Sequence, residues 1–321
     1  MTVTTPGLHH VTAIAGDPER NASFYVETLG LRFVKRTVNH DDTKTYHFYF
    51  GDGEGTPGTN FTFFPWTDRG RRGEFGAGQA QATAYLIEPD SLEYWVDRLE
   101  SRGVDVEQSQ RFGEAVLAFE DPDGIGLELV ASEAAAAADA EPWDDSPIPA
   151  DHQLRGFHSV TLAVPEFAPT ASVLTNVLGY ELDGESDGRR RYRAAGENPG
   201  SVIDLVETDL ERGRMGIGTV HHVAFTVTDV EAQERWRDAF SDHGQHVTEV
   251  IDRKYFQSIY SREPGGVLFE MATTKPGFTV DESIDELGSR LTLPEWLENE
   301  RAEIEAHLPP FDHESIGSGE H

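Results

Sequence analysis

The stretch Gly7-Leu-His-His-Val-Thr12, near the start of the chain, returns as Gly218-Thr-Val-His-His-Val223 in its last third. A His-His-Val core at corresponding places of two segments indicates an internal repeat, and a repeat has to be recognised before the fold is predicted. The second copy is followed by Glu263-Pro-Gly-Gly-Val-Leu-Phe-Glu270, a tight turn that leads into a short apolar run with one carboxylate. These segments decide both the fold and the chemistry expected of the chain.

The repeating unit reads as a strand, a helix and three further strands. In the first unit a strand over 9–14 is followed by Asp17-Pro18, which favours a helix start, and by Gly30, which favours a helix end. Strands are then predicted at 31–38, 45–49 and 60–64. The pattern begins again near Gln81, Phe157 and His221, so the sequence predicts four βαβββ modules.

We therefore predict an α+β fold of four βαβββ modules in two halves, which form curved mixed β-sheets around a cavity, with C-terminal helices. A sheet covered by helices on one face leaves its other face free to curve around a site. The predicted divisions are an N-terminal half (1–131), an Ala/Asp/Pro-rich linker (132–153), a C-terminal half (154–275), and a helical extension with a tail (276–321). Within the extension, helices are predicted over 281–287 and 294–308.

The modules differ at the positions of the histidines and of the carboxylate. Modules one and four contribute His10 and His222, and module four also carries Glu270. The aligned residues elsewhere are Ala82 in module two and Ser159 in module three for the histidines, and Glu128 in module two and Thr62 in module one for the carboxylate. Two imidazoles and one carboxylate are the facial triad that leaves open positions on a divalent metal, typically Fe(II). We interpret His10, His222 and Glu270 as metal ligands.

Each of the two candidate histidine ligands is preceded by a second histidine, whose orientation is predicted separately. Side chains alternate along a strand, so His9 and His221 are expected on the face opposite to the ligands, unless a twist or a bulge returns them to the rim of the site. The polar stretch Asn39-His40-Asp41-Asp42 is typical of a turn between strands, which we favour over a second metal site there.

Composition narrows the class of protein. The chain of 321 residues has 58 acidic against 26 basic residues, a net charge of −32, and no cysteine. This charge argues against nucleic-acid binding, and the sequence shows neither a membrane-spanning apolar run nor a signal peptide. At 1 M salt the Debye length is about 3 Å, so salt screens the self-repulsion of such a surface. We expect a cytoplasmic protein of a salt-loving organism.

The motifs resemble those of the vicinal oxygen chelate superfamily (glyoxalase, bleomycin resistance protein, extradiol dioxygenase), and within it the ring-cleaving dioxygenases of the hydroquinone-dioxygenase type. The stretches that carry the resemblance are Gly7–Ile14, Phe33–Asp42 and Asp252–Gly266. The resemblance implies an extradiol-type non-heme Fe(II) dioxygenase, with Mn(II) open as an alternative, acting on a small aromatic substrate and O₂. It also implies pocket-lining or supporting roles for His9, Thr12, His221, Arg253 and Tyr260.

Two other functions stay open at this point. A glyoxalase-type lyase or isomerase uses a fourth, carboxylate ligand, whereas module one has Thr62 in the aligned position. A metal-free protein that binds an aromatic ligand is the third alternative. Arg253 could instead form a salt bridge with one of the many carboxylates, and a homo-oligomer is left open.

Overall fold

The chain folds into two curved, mixed eight-stranded β-sheets in a computed structural model that describes residues 4–67, 70–195, 200–312 and 316. Module one consists of β1 (Leu8–Ala15), α1 (Pro18–Ser23), β2 (Arg32–Asn39), β3 (Asp42–Gly51) and β4 (Asn60–Pro65), with a π-helical turn (Phe24–Thr28) continuing α1. Module two consists of a strand β5 (Gln79–Ile87), a 3₁₀ turn (Pro89–Ser91), α2 (Leu92–Ser101), β6 (Glu107–Arg111), β7 (Glu114–Glu120) and β8 (Gly126–Ala131).

The second half of the chain repeats this order. Module three consists of β9 (Phe157–Val164), α3 (Phe167–Asn176), β10 (Glu181–Ser186), β11 (Arg189–Arg193) and β12 (Val202–Glu207). Module four consists of β13 (Thr219–Val227), α4 (Val230–Asp242), β14 (Ile251–Asp252), β15 (Gln257–Arg262) and β16 (Leu268–Thr273). The predicted α+β fold of four βαβββ modules is confirmed.

Each sheet combines one module from each half of the chain. The first sheet has the order β14-β15-β16-β13-β1-β4-β3-β2 and joins modules four and one through the antiparallel pair β1–β13. The second has the order β10-β11-β12-β9-β5-β8-β7-β6 and joins modules three and two through β5–β9. The two histidine strands are therefore direct neighbours, although they are far apart in sequence. The domain boundaries at 131 and 154 stay predictions.

Local signals place the helices against the sheets. The Asp17 carboxylate accepts a hydrogen bond of 2.8 Å from the backbone N–H of Arg20, which caps α1. Asp229 caps α4 in the same way, through the N–H of Ala232 at 2.7 Å. Trp95 of α2 and Trp236 of α4 are fully buried, so each helix covers its sheet with one large aromatic side chain.

The segment after the last module is less helical than predicted. In its described residues the helical elements are three 3₁₀ turns, Phe278–Val280, Ile284–Glu286 and Glu295–Glu300, followed by α5 (Arg301–His307). The helix expected over 281–287 is thus only a single turn, because the carboxylates of Asp281 and Glu282 are bound by the buried Lys35 of β2.

The linker contains two further 3₁₀ turns, Glu133–Ala137 and Ala150–His152.

Among the described residues, no helix has the length and apolar character needed to cross a membrane.

Candidate metal centre

Three side chains from neighbouring strands of the first sheet meet at one point. His10 lies on β1, His222 on β13 and Glu270 on β16, and they are 2%, 5% and 0% exposed. His10 Nε2 and His222 Nε2 are 3.2 Å apart, and Glu270 Oε2 lies 3.3 Å from the first and 2.8 Å from the second. Ala224 pairs with both His10 and Glu270, so a small side chain separates the ligands along the sheet.

These distances fit a single divalent cation. Three donors about 2.1 Å from one ion and at right angles to one another are about 3.0 Å apart. Glu270 Oε1 accepts a hydrogen bond from Ser258 Oγ, whereas the buried Oε2 has no hydrogen-bond donor. Burial alone would raise the pKa of Glu270, but the nearby His10 and His222 hold it well below its usual range. A buried, ionised oxygen without a donor is suited to a metal ion.

His9 lies beside His10 because of a β-bulge. The register of β1 against β13 pairs Leu8 with Phe225 and His10 with Ala224, which leaves His9 as the extra residue. Strand alternation alone, which would put His9 on the face opposite to His10, therefore does not apply at this bulge. His9 Nδ1 is 2.9 Å from His10 Nδ1.

The bulge gives His9 a supporting role. If His10 binds metal through Nε2, its Nδ1–H donates to His9 Nδ1, and His9 Nε2–H then donates to the carbonyl of Thr273 at 3.2 Å. Burial, together with the neighbouring His10, lowers the pKa of His9 to about 3, so the ring is neutral as this chain of hydrogen bonds requires.

His221 is the extra residue of a second bulge, because Thr12 pairs with His222 and Ala13 with Val220. Its Nδ1 is 2.8 Å from His222 Nδ1. Burial, followed by the effect of His222, lowers the pKa of His221 to about 3. With His222 Nδ1 donating, His221 carries its proton on Nε2, for which no hydrogen-bond acceptor is found among the described residues. Unlike His9, His221 lines the cavity in front of the ligands.

The cavity has a volume of about 370 Å³ and contains two more of the residues expected from the sequence. Arg253 Nε donates to Tyr260 Oη at 3.2 Å, and its Nη1 lies 3.0 Å from Asp41 Oδ2. Arg253 thus lies in the pocket and also forms the salt bridge that was the alternative. Burial would lower the pKa of Arg253, but Tyr260 and Asp41 raise it, so the guanidinium stays charged.

Thr12 supports the wall of the site from one side. Its hydroxyl lies 2.7 Å from the Thr62 hydroxyl, and Thr62 in turn lies 2.9 Å from His47 Nε2. Tyr49 Oη is 2.9 Å from His47 Nδ1, which completes a row of hydrogen bonds along β1, β4 and β3. Thr12 pairs with Thr62 as Ala224 pairs with Glu270, so the sheet register places Thr62 where a fourth ligand would come from.

Sequence reasoning missed several residues of the cavity wall. His47, Tyr49 and Phe64 line it from β3 and β4, and the connection between β2 and β3, at 39–41, lies at its mouth. No motif marks them, because an aromatic run such as 46–50 looks like ordinary strand core. The available signal was the side-chain alternation of β3, which places His47 and Tyr49 on one face.

In the second sheet, the place that corresponds to the candidate metal centre has carboxylates but neither of the two histidines. Ala84 pairs with Glu128 there, and Thr161 pairs with Asp204, a carboxylate position that sequence reasoning missed. Arg111 Nη2 lies 2.6 Å from Glu128, and Arg191 binds both oxygens of Asp204 at 3.0 and 3.1 Å. In the second sheet, guanidinium groups neutralise both carboxylates. In the first sheet, the corresponding carboxylate is available to bind a cation.

Comparison with known proteins gives the family. The chain matches the Glyoxalase/Bleomycin resistance protein/Dioxygenase superfamily over residues 7–129 and 156–271. It is 44% identical over 312 residues to the "Putative ring-cleaving dioxygenase MhqO" of Bacillus subtilis (strain 168), covering 97% of this chain and 98% of that protein. It is 38% identical over 307 residues to the "Chlorohydroquinone/hydroquinone 1,2-dioxygenase" of Sphingobium indicum, covering 93% and 94%.

Solved structures agree with this relationship. A crystal structure of a "putative dioxygenase" from Bacillus subtilis superposes with a TM-score of 0.92 at 44% identity, covering 96% of this chain and 98% of that one. Glyoxalase I from Zea mays, at 18% identity and a TM-score of 0.61 over 88% of this chain and 97% of that one, shares the fold. The chain belongs to the glyoxalase/bleomycin resistance protein/dioxygenase superfamily, and its relatives in that superfamily include proteins named as ring-cleaving dioxygenases.

Proposed function

We propose that this protein is an Fe(II)-dependent dioxygenase that uses O₂ to cleave the ring of a hydroquinone- or catechol-like substrate. The observation that carries the proposal is the arrangement of the three donors. His10, His222 and Glu270 occupy one side of a single point, and a cavity of about 370 Å³ opens on its other side. The cavity wall includes the aromatic residues Phe64 and Phe256, which suit a flat ring.

The three ligands would hold the ion on one face. When bound, Fe(II) supplies the one-electron chemistry that allows O₂ to react with an aromatic ring. Ser258 fixes the Glu270 carboxylate through Oε1 and leaves Oε2 for the metal. His9 orients His10 through the Nδ1 contact and is in turn held by the backbone of Thr273.

Arg253 and Tyr260 would bind and orient the substrate. The guanidinium is a permanent positive charge with a planar set of donors, suited to the oxygen of an ionised phenol. Its hydrogen bond to Tyr260 fixes both side chains on the wall beside His222. Burial raises the pKa of Tyr260, so its hydroxyl keeps its proton and serves as a hydrogen-bond donor.

His221 would bind an oxygen of the substrate. Its Nδ1 is occupied by His222, so the ring presents Nε2–H at the cavity. From this position the neutral ring donates a hydrogen bond to an oxygen of the substrate and stabilises the negative charge that forms on it.

The two rival functions have less support in this site. A glyoxalase-type enzyme would need a fourth ligand from the position of Thr62, whose hydroxyl is engaged by Thr12 and His47 instead. A metal-free binding protein would have to keep two imidazole nitrogens and an ionised carboxylate oxygen buried within 3.3 Å of one another without an ion between them, which is costly.

The proposal is tested on protein purified without oxygen in high salt and then loaded with Fe(II) or Mn(II). O₂ uptake is followed with hydroquinone, catechol and the hemithioacetal of methylglyoxal. We expect uptake coupled to ring opening with one of the two dihydroxybenzenes. Isomerisation of the hemithioacetal without O₂ uptake would instead establish the glyoxalase-type function.

His222→Ala and Glu270→Gln are expected to abolish metal binding and turnover together. The matched control is Glu128→Gln, since Glu128 holds the corresponding strand position in the second sheet. That variant should bind one metal ion and keep its activity. Turnover that survives in His222→Ala would exclude the proposed ligand set.

A further inference from the structure

A second cavity, which we call the rear cavity, lies next to the first one at the histidine strand β13. It has a volume of about 300 Å³, and its walls include Gln79, Arg212, Met215 and Arg262. We call the first cavity, in front of the candidate ligands, the metal cavity. Both cavities are lined by His221, His222 and Leu268. The rear cavity is therefore adjacent to the proposed site of reaction.

Two arginines at the rear cavity have no carboxylate partner in the described part of the chain. Arg262 Nη1 donates to the carbonyl of Gly266 at 2.7 Å, and neither Arg262 nor Arg212 forms an ion pair with a described residue. A side chain added at Gly266 would come within 3.8 Å of Arg212 Nη2, so both guanidinium groups lie around this glycine. In a chain with 58 acidic residues, two guanidinium groups without a carboxylate partner at one cavity form a local concentration of positive charge.

The proposed reaction changes the charge of its substrate. A neutral dihydroxybenzene takes up both atoms of O₂, and one carbon–carbon bond of the ring breaks. The severed carbon that bore the hydroxyl becomes a carboxylic acid, and its neighbour becomes an aldehyde. The acid then releases its proton, so the product is an anion. A surface with a net charge of −32 repels such an anion in general, and only a local positive site can attract it.

We propose that the rear cavity is an anion-binding site in which Arg212 and Arg262 receive the carboxylate of the ring-opened product. This inference rests on the proposed ring-cleaving function. The neutral substrate has no charge for these arginines to bind, so the rear cavity distinguishes product from substrate. Charge-assisted hydrogen bonds from the planar guanidinium forks match the geometry of a carboxylate.

The test measures binding of cis,cis-muconate, a stable six-carbon dicarboxylate, to the Fe(II)-loaded protein without oxygen. Calorimetry at one fixed salt concentration compares the wild type with Arg212→Gln/Arg262→Gln. We expect the double variant to bind muconate on the order of tenfold more weakly, as the loss of two partly exposed charge-assisted contacts implies. The KM for the dihydroxybenzene should stay unchanged.

The matched control is Arg214→Gln. Arg214 lies on the same segment and is exposed, but it is paired with Glu74 outside the rear cavity. This variant should bind muconate as the wild type does. Equal affinity in the double variant, or binding that depends on the metal and not on the arginines, would overturn the proposal. Because the measurement needs no turnover, failure of the proposed function is recognised separately, as absence of O₂ uptake by the wild type.

Discussion

At each of the two imidazole positions of the candidate metal site, a second histidine directly precedes the candidate ligand. His9 and His221 are each the extra residue of a β-bulge, and the bulge turns them towards the ligands that follow them. Their surroundings nevertheless differ. Both nitrogens of His9 are engaged, whereas His221 keeps Nε2 free at the cavity. We therefore propose that the same sequence motif supplies a residue that orients a ligand in one copy and a residue that binds the substrate in the other.

This difference predicts different kinetics for two substitutions. His9→Gln should weaken Fe(II) binding by about 10–100-fold, as is usual for the partner of a metal-bound imidazole, with kcat close to that of the wild type at saturating metal. His221→Leu should lower kcat by about 10²-fold even at saturating metal, because it removes the proposed hydrogen-bond donor to the substrate oxygen. Metal titration and O₂ uptake measure the two effects. Equal loss of kcat in both variants would contradict the distinct roles.

At the scale of elements, the segment after the last module is attached to the first sheet through a buried charge. Lys35 of β2 is fully buried and donates to Asp281 at 2.8 Å, to Glu282, and to the carbonyl of Phe278 at 3.1 Å. Lys254 also binds Asp281. The segment therefore depends on β2, whose connection to β3 reaches the mouth of the metal cavity.

Lys35→Met is expected to lower the free energy of unfolding by about 3–5 kcal/mol, because it leaves the carboxylate of Glu282 buried with only the more distant Arg290, at 3.9 Å, as its counter-ion. The double variant Lys35→Met/Glu282→Gln should regain part of that loss, since the buried charge is removed. Denaturant unfolding measures both variants. A single variant as stable as the wild type would show that the pair contributes nothing.

The buried carboxyl group of Asp121, in the turn between β7 and β8, predicts that the stability of the fold depends on pH. Burial raises the pKa of Asp121 to about 7, although the N–H groups of Asp123 and Ile125 donate to its Oδ1. The unfolded value is about 4. The folded state therefore binds more protons between about pH 4 and pH 7, so stability falls as the pH rises through this window and is level above it.

Asp121→Asn keeps the acceptor for both N–H groups and removes the titration. Its melting temperature should decline less between pH 5 and pH 7.5 than that of the wild type, and should exceed the wild-type value at pH 8. Asp105→Asn, at an exposed position, is the control and should follow the wild type. An identical pH profile for Asp121→Asn would remove Asp121 as the cause. Scanning calorimetry in high salt measures all three proteins.

At the scale of the whole molecule, the arrangement of the modules creates the site. Modules one and four meet at the pair β1–β13, so the two histidine copies lie side by side. Modules two and three meet in the same way at β5–β9, but there arginines bind the corresponding carboxylates. One architecture thus holds one candidate metal centre and one counterpart stabilised by ion pairs.

The net charge of −32 predicts a strong dependence on salt. The melting temperature should rise steeply from low to molar KCl, because screening reduces the mutual repulsion of the acidic groups. Sucrose of equal osmolality is the control, since it screens no charge and should raise the melting temperature less. A flat response to KCl would contradict the expectation of a salt-loving organism.

By itself the sequence determined the four modules, the candidate ligands His10, His222 and Glu270, and the absence of that set in modules two and three. These features are local patterns that recur at corresponding positions, so the chain can be compared with itself. The helix predicted at 281–287 was wrong, because contacts with the distant Lys35 decide the backbone there.

Only the tertiary structure decided the positions of His9 and His221, the contribution of His47 and Tyr49 to the cavity wall, and the pairing of Asp204 with arginine. Each depends on the register between strands that are distant in the chain, and a bulge of one residue changes the face of a side chain without changing the hydrophobic pattern. The unpaired Arg212 and Arg262 are visible only in three dimensions for the same reason. A charge is unpaired only with respect to its neighbours in space, and these come from several modules.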